Sequence, residues 1–129
     1  MRLDMTMPDH WALISAEVAG NSQYANQKAT EYLRSALERD GYAAQPVLDC
    51  FEGTLEHSYF VSNMSAFSAL EYGVRFAQKV VLTHAGMLHV RVGIDETKAI
   101  KSISLTPFKP DGDWTLLQNC GLYLKVEFE

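Results

Sequence analysis

The nine-residue run Thr54–Ser62 constrains the fold more than any other stretch of this chain. β-favouring residues fill its second half, and a glycine and an asparagine bound it, so it predicts a strand. Side chains alternate between the two faces of a strand, which places Glu56 and Ser58 together and His57 on the opposite face. A polar-apolar segment precedes the run and a helical pattern follows it. The two-residue turn before it predicts a hairpin.

The order of the elements around this strand defines the predicted fold class. Apolar periodicities predict strand, helix, strand, strand, helix and strand over Trp11–Glu17, Gln23–Asp40, Tyr42–Phe51, Thr54–Ser62, Ser65–Lys79 and Val80–His84. Four further strands follow at Met87–Val92, Ala99–Leu105, Trp114–Gln118 and Leu122–Phe128. The first six elements match the ferredoxin-like order. We therefore predict an α+β fold with a ferredoxin-like β-α-β-β-α-β core and a β-rich C-terminal extension.

The whole chain is predicted to form one domain, residues 1–129, with a loose lead-in at 1–10 and added strands at 98–129. Cys50 and Cys120 are far apart in the sequence and match no metal spacing, so we interpret them as reduced thiols. No apolar run approaches membrane-spanning length, and the N-terminus has no secretory signal pattern. The predicted location is the cytoplasm.

Right-handed crossovers place Thr54–Ser62 antiparallel beside the first strand. The end of the first strand then lies beside the start of Thr54–Ser62, which brings Glu17 and Glu56 to the same end of the sheet. The first turn of one helix and the last turn of the other approach that end as well. The sequence therefore predicts a ligand- or partner-binding polar site composed of Ser15, Glu17, Asn26, Glu56, Ser58 and Gln78.

Each member of this site has a functional and a structural interpretation. Glu56 and Glu17 are the candidate catalytic pair, because two close carboxylates have separated pKa values. The same pair is an alternative site for Mg²⁺. The structural interpretation is that both are strand-end carboxylates in water or caps on backbone amides. Asn26 and Gln78 either orient a ligand or satisfy backbone groups, and the second role is the commoner one.

Several functional classes lack support in the sequence. It contains no phosphate-binding glycine loop and no nucleophile elbow. The four histidines, His10, His57, His84 and His89, have no metal-ligand spacing, so we predict no metal and no cofactor. The net charge of −5 disfavours nucleic-acid binding. An RNA-binding ferredoxin-like module is an alternative, with Trp11 and Phe60 on the open face. We expect the C-terminal strands to cover that face instead.

Four segments resemble a small uncharacterised domain family of bacteria and their phages: Trp11-Ala-Leu-Ile-Ser-Ala, the helix with Asn26, Glu56-His-Ser-Tyr-Phe-Val, and Phe76-Ala-Gln-Lys-Val-Val. That family has a Thr-Ala-x-Asn-Pro turn, a helical Asn, a Glu-x-Ser strand and a Phe-Gly-Gln helix end. The resemblance covers residues 11–92. Val18-Ala19 stands where the family has Asn-Pro. The resemblance implies a phage or mobile-element protein that binds and inhibits a host or defence factor.

The sequence thus predicts a small acidic non-enzymatic binding protein whose partner is another protein. A small-molecule ligand is an alternative partner, and a small enzyme or nucleotide-ligand binder that uses Glu17 and Glu56 is the alternative function. We predict no membrane association. Homodimerisation through an exposed strand edge is a further alternative. The strand that contains Pro46 and the strand Leu122–Phe128 are the predicted edges.

Overall fold

The computed structural model describes residues 7–90 and 93–129, with the side chains of residues 93–97 left aside. Within these ranges, nine strands and two helices follow one another as β1 (Trp11–Ser15), α1 (Gln23–Arg39), β2 (Ala44–Phe51), β3 (Thr54–Ser62), α2 (Ala66–Arg75), β4 (Val80–Thr83), β5 (Gly86–His89), β6 (Gly93–Lys98), β7 (Ile100–Thr106), β8 (Trp114–Leu117) and β9 (Leu122–Phe128). The predicted bounds of β3 and β9 are confirmed. No helix in the described ranges is long and apolar enough to cross a membrane.

A tight turn sets the register of the β2–β3 hairpin. Glu52 and Gly53 have φ angles of 49° and 80°, the left-handed values that a two-residue hairpin turn requires. Phe51 therefore pairs with Thr54, and the ladder continues to Ala44 opposite Val61. On its other edge β3 pairs antiparallel with β1, as predicted. The predicted position of β4 on the far side of β1 is also confirmed.

All nine strands belong to one antiparallel sheet, in the order β6-β5-β4-β1-β3-β2-β8-β9-β7. The sheet curls until it nearly closes into a barrel, so that Leu82 of β4 and Val126 of β9 pack against the same apolar cluster. The prediction of an α+β fold with a ferredoxin-like β-α-β-β-α-β core and a β-rich C-terminal extension is therefore wrong. The C-terminal strands continue the sheet, because β8 pairs directly with β2. The protein is a mostly β structure with two helices on its outer face.

Both predicted edge strands lie inside the sheet. β2 is bonded to β3 on one side and to β8 on the other, although it contains Pro46. The pairing with β8 begins at Val47, so the missing N–H of Pro46 costs no bond in that ladder. β9 lies between β8 and β7. The strands at the two ends of the sheet are β6 and β7, and we did not predict β6.

Two apolar cores lie on opposite faces of the sheet. The outer core holds α1 and α2 against the sheet through buried side chains such as Ile14 and Leu37. In the inner core, Trp11 and Phe60 are each 2% exposed and their rings stack 5.6 Å apart. Leu117 and Val126 of the C-terminal strands pack against them, which confirms that these strands cover that face. The buried rings cannot stack on bases, so the RNA-binding alternative loses its recognition surface.

The helix boundaries follow local chemistry. The Ser22 hydroxyl accepts from the amide of Ala25, and Ser65 caps α2 in the same way. α2 ends at Arg75 rather than at Lys79, because the chain turns out of the helix through Ala77 at a φ of 56°. Residues 1–6 of the predicted lead-in at 1–10 lie outside the described residues. The last two residues of the predicted strand Met87–Val92 lie outside them as well.

Candidate functional site

The inner face of the curled sheet surrounds a cavity of about 480 Å³. We call it the inner cavity. Residues from both halves of the sheet line it: Leu82 and Met87 come from β4 and β5, and Leu124 and Val126 come from β9. Because these strands are far apart in the sheet order, the cavity exists only through the curvature. Its volume lies in the range of small-molecule binding sites.

Strand register places a group of polar side chains on the inner face. Asp49 of β2 lies directly opposite Glu56 of β3. Ser15 of β1 lies directly opposite Ser58. Thr115 of β8 lies opposite Asp49 on its other side. Residues opposite one another in an antiparallel ladder share a face, so all five project into the inner cavity, and all five line it.

Burial determines the proton affinity of the two carboxyl groups. The Asp49 pKa is raised by burial, although the hydroxyls of Ser58 and Thr115 oppose the shift. Thr115 Oγ1 donates to Asp49 Oδ1 over 2.7 Å. The Glu56 pKa is likewise raised by burial, lowered by the Ser15 hydroxyl, and raised further by the carboxylates of Asp49 and Glu17. The two opposed carboxyl groups therefore hold protons more tightly than exposed ones do.

The hydroxyl of Ser58 is the least satisfied polar group of the inner cavity. Its residue is 3% exposed. No polar atom in the described ranges meets its Oγ with hydrogen-bond geometry. The Ser58 hydroxyl lowers the pKa of Asp49, so it lies close to that carboxyl group, but the two do not reach good hydrogen-bond geometry. Buried hydroxyls nearly always have a partner, so this atom requires an explanation.

The Glu17 side chain lies near the start of β3 and accepts a hydrogen bond from the backbone there. Its Oε2 accepts from the His57 amide over 3.2 Å, and its Oε1 lies 3.1 Å from His57 Nδ1. It lines the inner cavity and raises the pKa of Glu56, so the two carboxylates interact. The directly opposed carboxyl pair, however, is Asp49 with Glu56, which the sequence-based site did not contain.

The two amides of the predicted site stabilise the loop after β1. Asn26 Oδ1 accepts from the Val18 amide over 2.9 Å, and its Nδ2 donates to the Val18 carbonyl over 3.3 Å. Gln78 Nε2 donates to the carbonyls of Glu17 and Phe76. Gln78 lines the inner cavity and Asn26 does not. Five of the six predicted residues thus lie around one cavity, and Asn26 supports it from outside.

Replacement of Asn26 by alanine is expected to lower the free energy of unfolding by about 1–3 kcal/mol, because the Val18 amide loses its partner and the Val18 carbonyl keeps only its bond from the Asn21 amide. Chemical denaturation measures the change. Gln27→Ala, at the exposed neighbouring position of α1, is the control and should stay within about 0.5 kcal/mol of the original protein. Equal losses in the two variants would show that the Asn26 hydrogen bonds contribute nothing to stability.

Asp49 could have been found from the sequence. A two-residue turn at Glu52-Gly53 pairs Phe51 with Thr54, and counting outward along both strands pairs Asp49 with Glu56. The position of Thr115 had no such signal, because β8 joins β2 only through the tertiary structure.

A metal centre and a depression beside the helices are the other possible sites. Nowhere in the part of the chain that the structure describes do three or more His, Cys, Asp or Glu side chains come together to hold a metal ion. A second depression of about 490 Å³ lies against the helices, between Tyr32, Arg39 and Phe76. The two buried oxygens without a hydrogen-bond partner in the described ranges belong to Ser58 and Gln45, and neither residue lines this depression. The inner cavity is therefore the stronger candidate.

The fold and the site define a mostly β protein with a carboxyl-lined cavity inside a curled sheet. No protein-family model matches the chain, and no curated protein is significantly similar to it. The resemblance to the bacterial and phage domain family stays a prediction.

Proposed function

We propose that this chain is a non-enzymatic binding protein that holds a small organic ligand in the inner cavity. The observation that carries the proposal is the Ser58 hydroxyl, which is buried, lines the cavity and has no hydrogen-bond partner of good geometry in the described ranges. An unsatisfied buried hydroxyl costs about 1–3 kcal/mol. A ligand that bonds to it recovers this free energy, so the cost is consistent with a site built for an occupant.

The walls of the inner cavity agree with this role. Small-molecule sites combine apolar walls with a few well-placed polar groups. Here the polar groups come from the central strands β1, β2, β3 and β8, and the apolar side chains of Leu82, Met87 and Leu124 come from the flanking ones. The rigid sheet fixes the positions of both, which lowers the entropy lost on binding.

Catalysis is the alternative function. The raised pKa of Glu56 suits a general acid, and Asp49 is its nearest carboxyl neighbour in the ladder. No histidine is among the residues that line the cavity in the described ranges. His57, which follows Glu56 in the sequence, has a side chain that is 68% exposed. Binding without turnover therefore needs fewer additional groups than catalysis does.

The hypothesis of a protein that inhibits a host or defence factor stays a prediction. An affinity pull-down from a bacterial lysate, followed by mass spectrometry, tests it. A specific partner whose binding excludes small probes from the inner cavity would show that protein binding and ligand binding use the same site. A partner that binds with the cavity filled would separate them.

The test of the proposal uses three eight-carbon probes that differ only in their head groups: octylamine, 1-octanol and octanoate. At least one is expected to bind saturably and to shift the amide resonances of Ser15, Ser58 and Thr115. Leu82→Trp is expected to abolish binding, because the larger side chain fills the cavity from a half-buried wall position. Calorimetry measures affinity, and amide NMR shows the location.

Leu55→Trp is the matched control, because Leu55 is 57% exposed and lies outside the cavity lining. It should bind the probes as the original protein does.

Ser58→Ala is a second variant, and its unliganded form should be as stable as the original or about 1 kcal/mol more stable, since it removes an unsatisfied hydroxyl. The proposal fails if no probe binds, or if Leu82→Trp, when folded, binds them all unchanged.

A further inference from the structure

The lining of the inner cavity is strongly acidic. Five of its residues have carboxyl groups and one is a lysine, and together they are Glu17, Asp49, Glu52, Glu56, Asp113 and Lys79. The fields of like charges add in a cavity with low-dielectric walls, so the interior favours positive charge. An anionic ligand would meet repulsion from most of these groups.

Asp49 and Glu56 form the centre of this field. They face each other across the β2–β3 ladder. Among the side chains that the structure describes, neither is in an ion pair. The hydrogen bond from Thr115 to Asp49 supplies a dipole but no opposite charge. Two opposed, half-buried carboxylates without a cation are unfavourable, and a ligand with a positive charge reduces that cost.

Ser58 adds a third acceptor beside the carboxylates. Its hydroxyl oxygen has lone pairs that no donor of the described residues occupies with good geometry. A primary ammonium group has three N–H donors. Asp49, Glu56 and Ser58 present acceptors for such a group on the same face of the sheet. The apolar members of the lining, Leu124 and Val126 among them, suit a hydrocarbon body.

We infer that the ligand of the inner cavity is a small organic cation, a primary amine with an apolar body. The inference rests on the proposed function, because it names the chemical class of that same ligand. Two independent observations support it: the uncompensated carboxyl pair, and the buried Ser58 hydroxyl with no hydrogen-bond partner of good geometry in the described ranges.

The three probes separate this inference from the function on which it rests. At pH 7.5 and low salt, octylamine is expected to bind at least about tenfold more tightly than 1-octanol, and octanoate is expected to bind most weakly. Glu56→Gln and Asp49→Asn should each weaken octylamine about tenfold and leave 1-octanol nearly unchanged. Glu127→Gln removes an exposed carboxylate outside the cavity and should leave all three affinities unchanged.

The outcomes are distinct. A preference for octylamine that disappears in Glu56→Gln or Asp49→Asn supports the inference. Similar affinities for the three probes, or the tightest binding by octanoate, overturn the inference and leave the binding function standing. Failure of all three probes overturns both. The ranking in the unmodified protein decides the matter even if a carboxyl variant does not fold.

Discussion

Phe60→Ala is expected to lower the free energy of unfolding by about 3–5 kcal/mol, a large part of the stability of a domain of this size. Phe60 is 2% exposed and stacks on Trp11 at the centre of the inner core. The apolar cluster that contains Phe60 is packed by residues from both halves of the curled sheet, Leu82 of β4 and Val126 of β9. These strands cannot move together to close the gap without breaking the sheet, so the variant retains a cavity.

Chemical denaturation followed by tryptophan fluorescence measures this loss, because Trp11 reports directly on the stacked pair. Phe67→Ala is the matched control on α2, where the ring is 66% exposed, and it should change stability by less than about 1 kcal/mol. If Phe60→Ala cost no more than Phe67→Ala, the sheet would not enclose a common inner core.

The second large effect concerns pH. The carboxyl pKa values of Asp49 and Glu56 are raised in the folded protein, mainly by burial. The folded state therefore binds these protons more tightly than the unfolded state does. The stability that they contribute is complete below the ordinary carboxyl range and is lost as the pH rises through the raised values. The folded protein should thus weaken from acidic to neutral pH through these two groups.

Asp49→Asn is expected to remove this loss. The asparagine oxygen can still accept from Thr115, and the variant also relieves Glu56 of a neighbouring negative charge. At pH 8 the variant should be more stable than the original protein by roughly 1 kcal/mol or more, and the difference should vanish at pH 4. The readout is the difference between the two stability curves, since carboxylates other than Asp49 and Glu56 contribute equally to both.

Asp9→Asn, at an exposed position, is the control for the loss of one charge and should give a flat difference curve. A destabilised Asp49→Asn at pH 8 would show that the ionised carboxylate has a favourable partner, and it would also weaken the case for a cationic ligand.

Local patterns in the sequence predicted the local structure well. The alternation in Thr54–Ser62 and the serines before each helix define elements that the structure contains. The pairing of β3 with β1 followed from the handedness of crossovers. These features depend on backbone geometry and on neighbours within a few residues, so the chain specifies them directly.

The candidate site was predicted only in part. Ser15, Glu56 and Ser58 share the inner face as expected, because strand alternation determines their side. Asn26 is bonded to Val18, in the structural role that was the commoner interpretation. The predicted site lacks Asp49, although the two-residue turn alone pairs it with Glu56, because a site defined at one end of the sheet leaves out the middle of the hairpin.

Local patterns in the sequence predict most of the strands, the helix caps, the β2–β3 register and the face on which Glu56 and Ser58 lie, because each depends on alternation or on a turn of a few residues. The pairing of β8 with β2 and the curvature of the sheet into a nearly closed form belong to the tertiary structure and have no local signal. Pairing between distant strands depends on how much apolar surface the whole chain can bury, which no local pattern encodes. That curvature converts an expected polar sheet end into an acid-lined cavity.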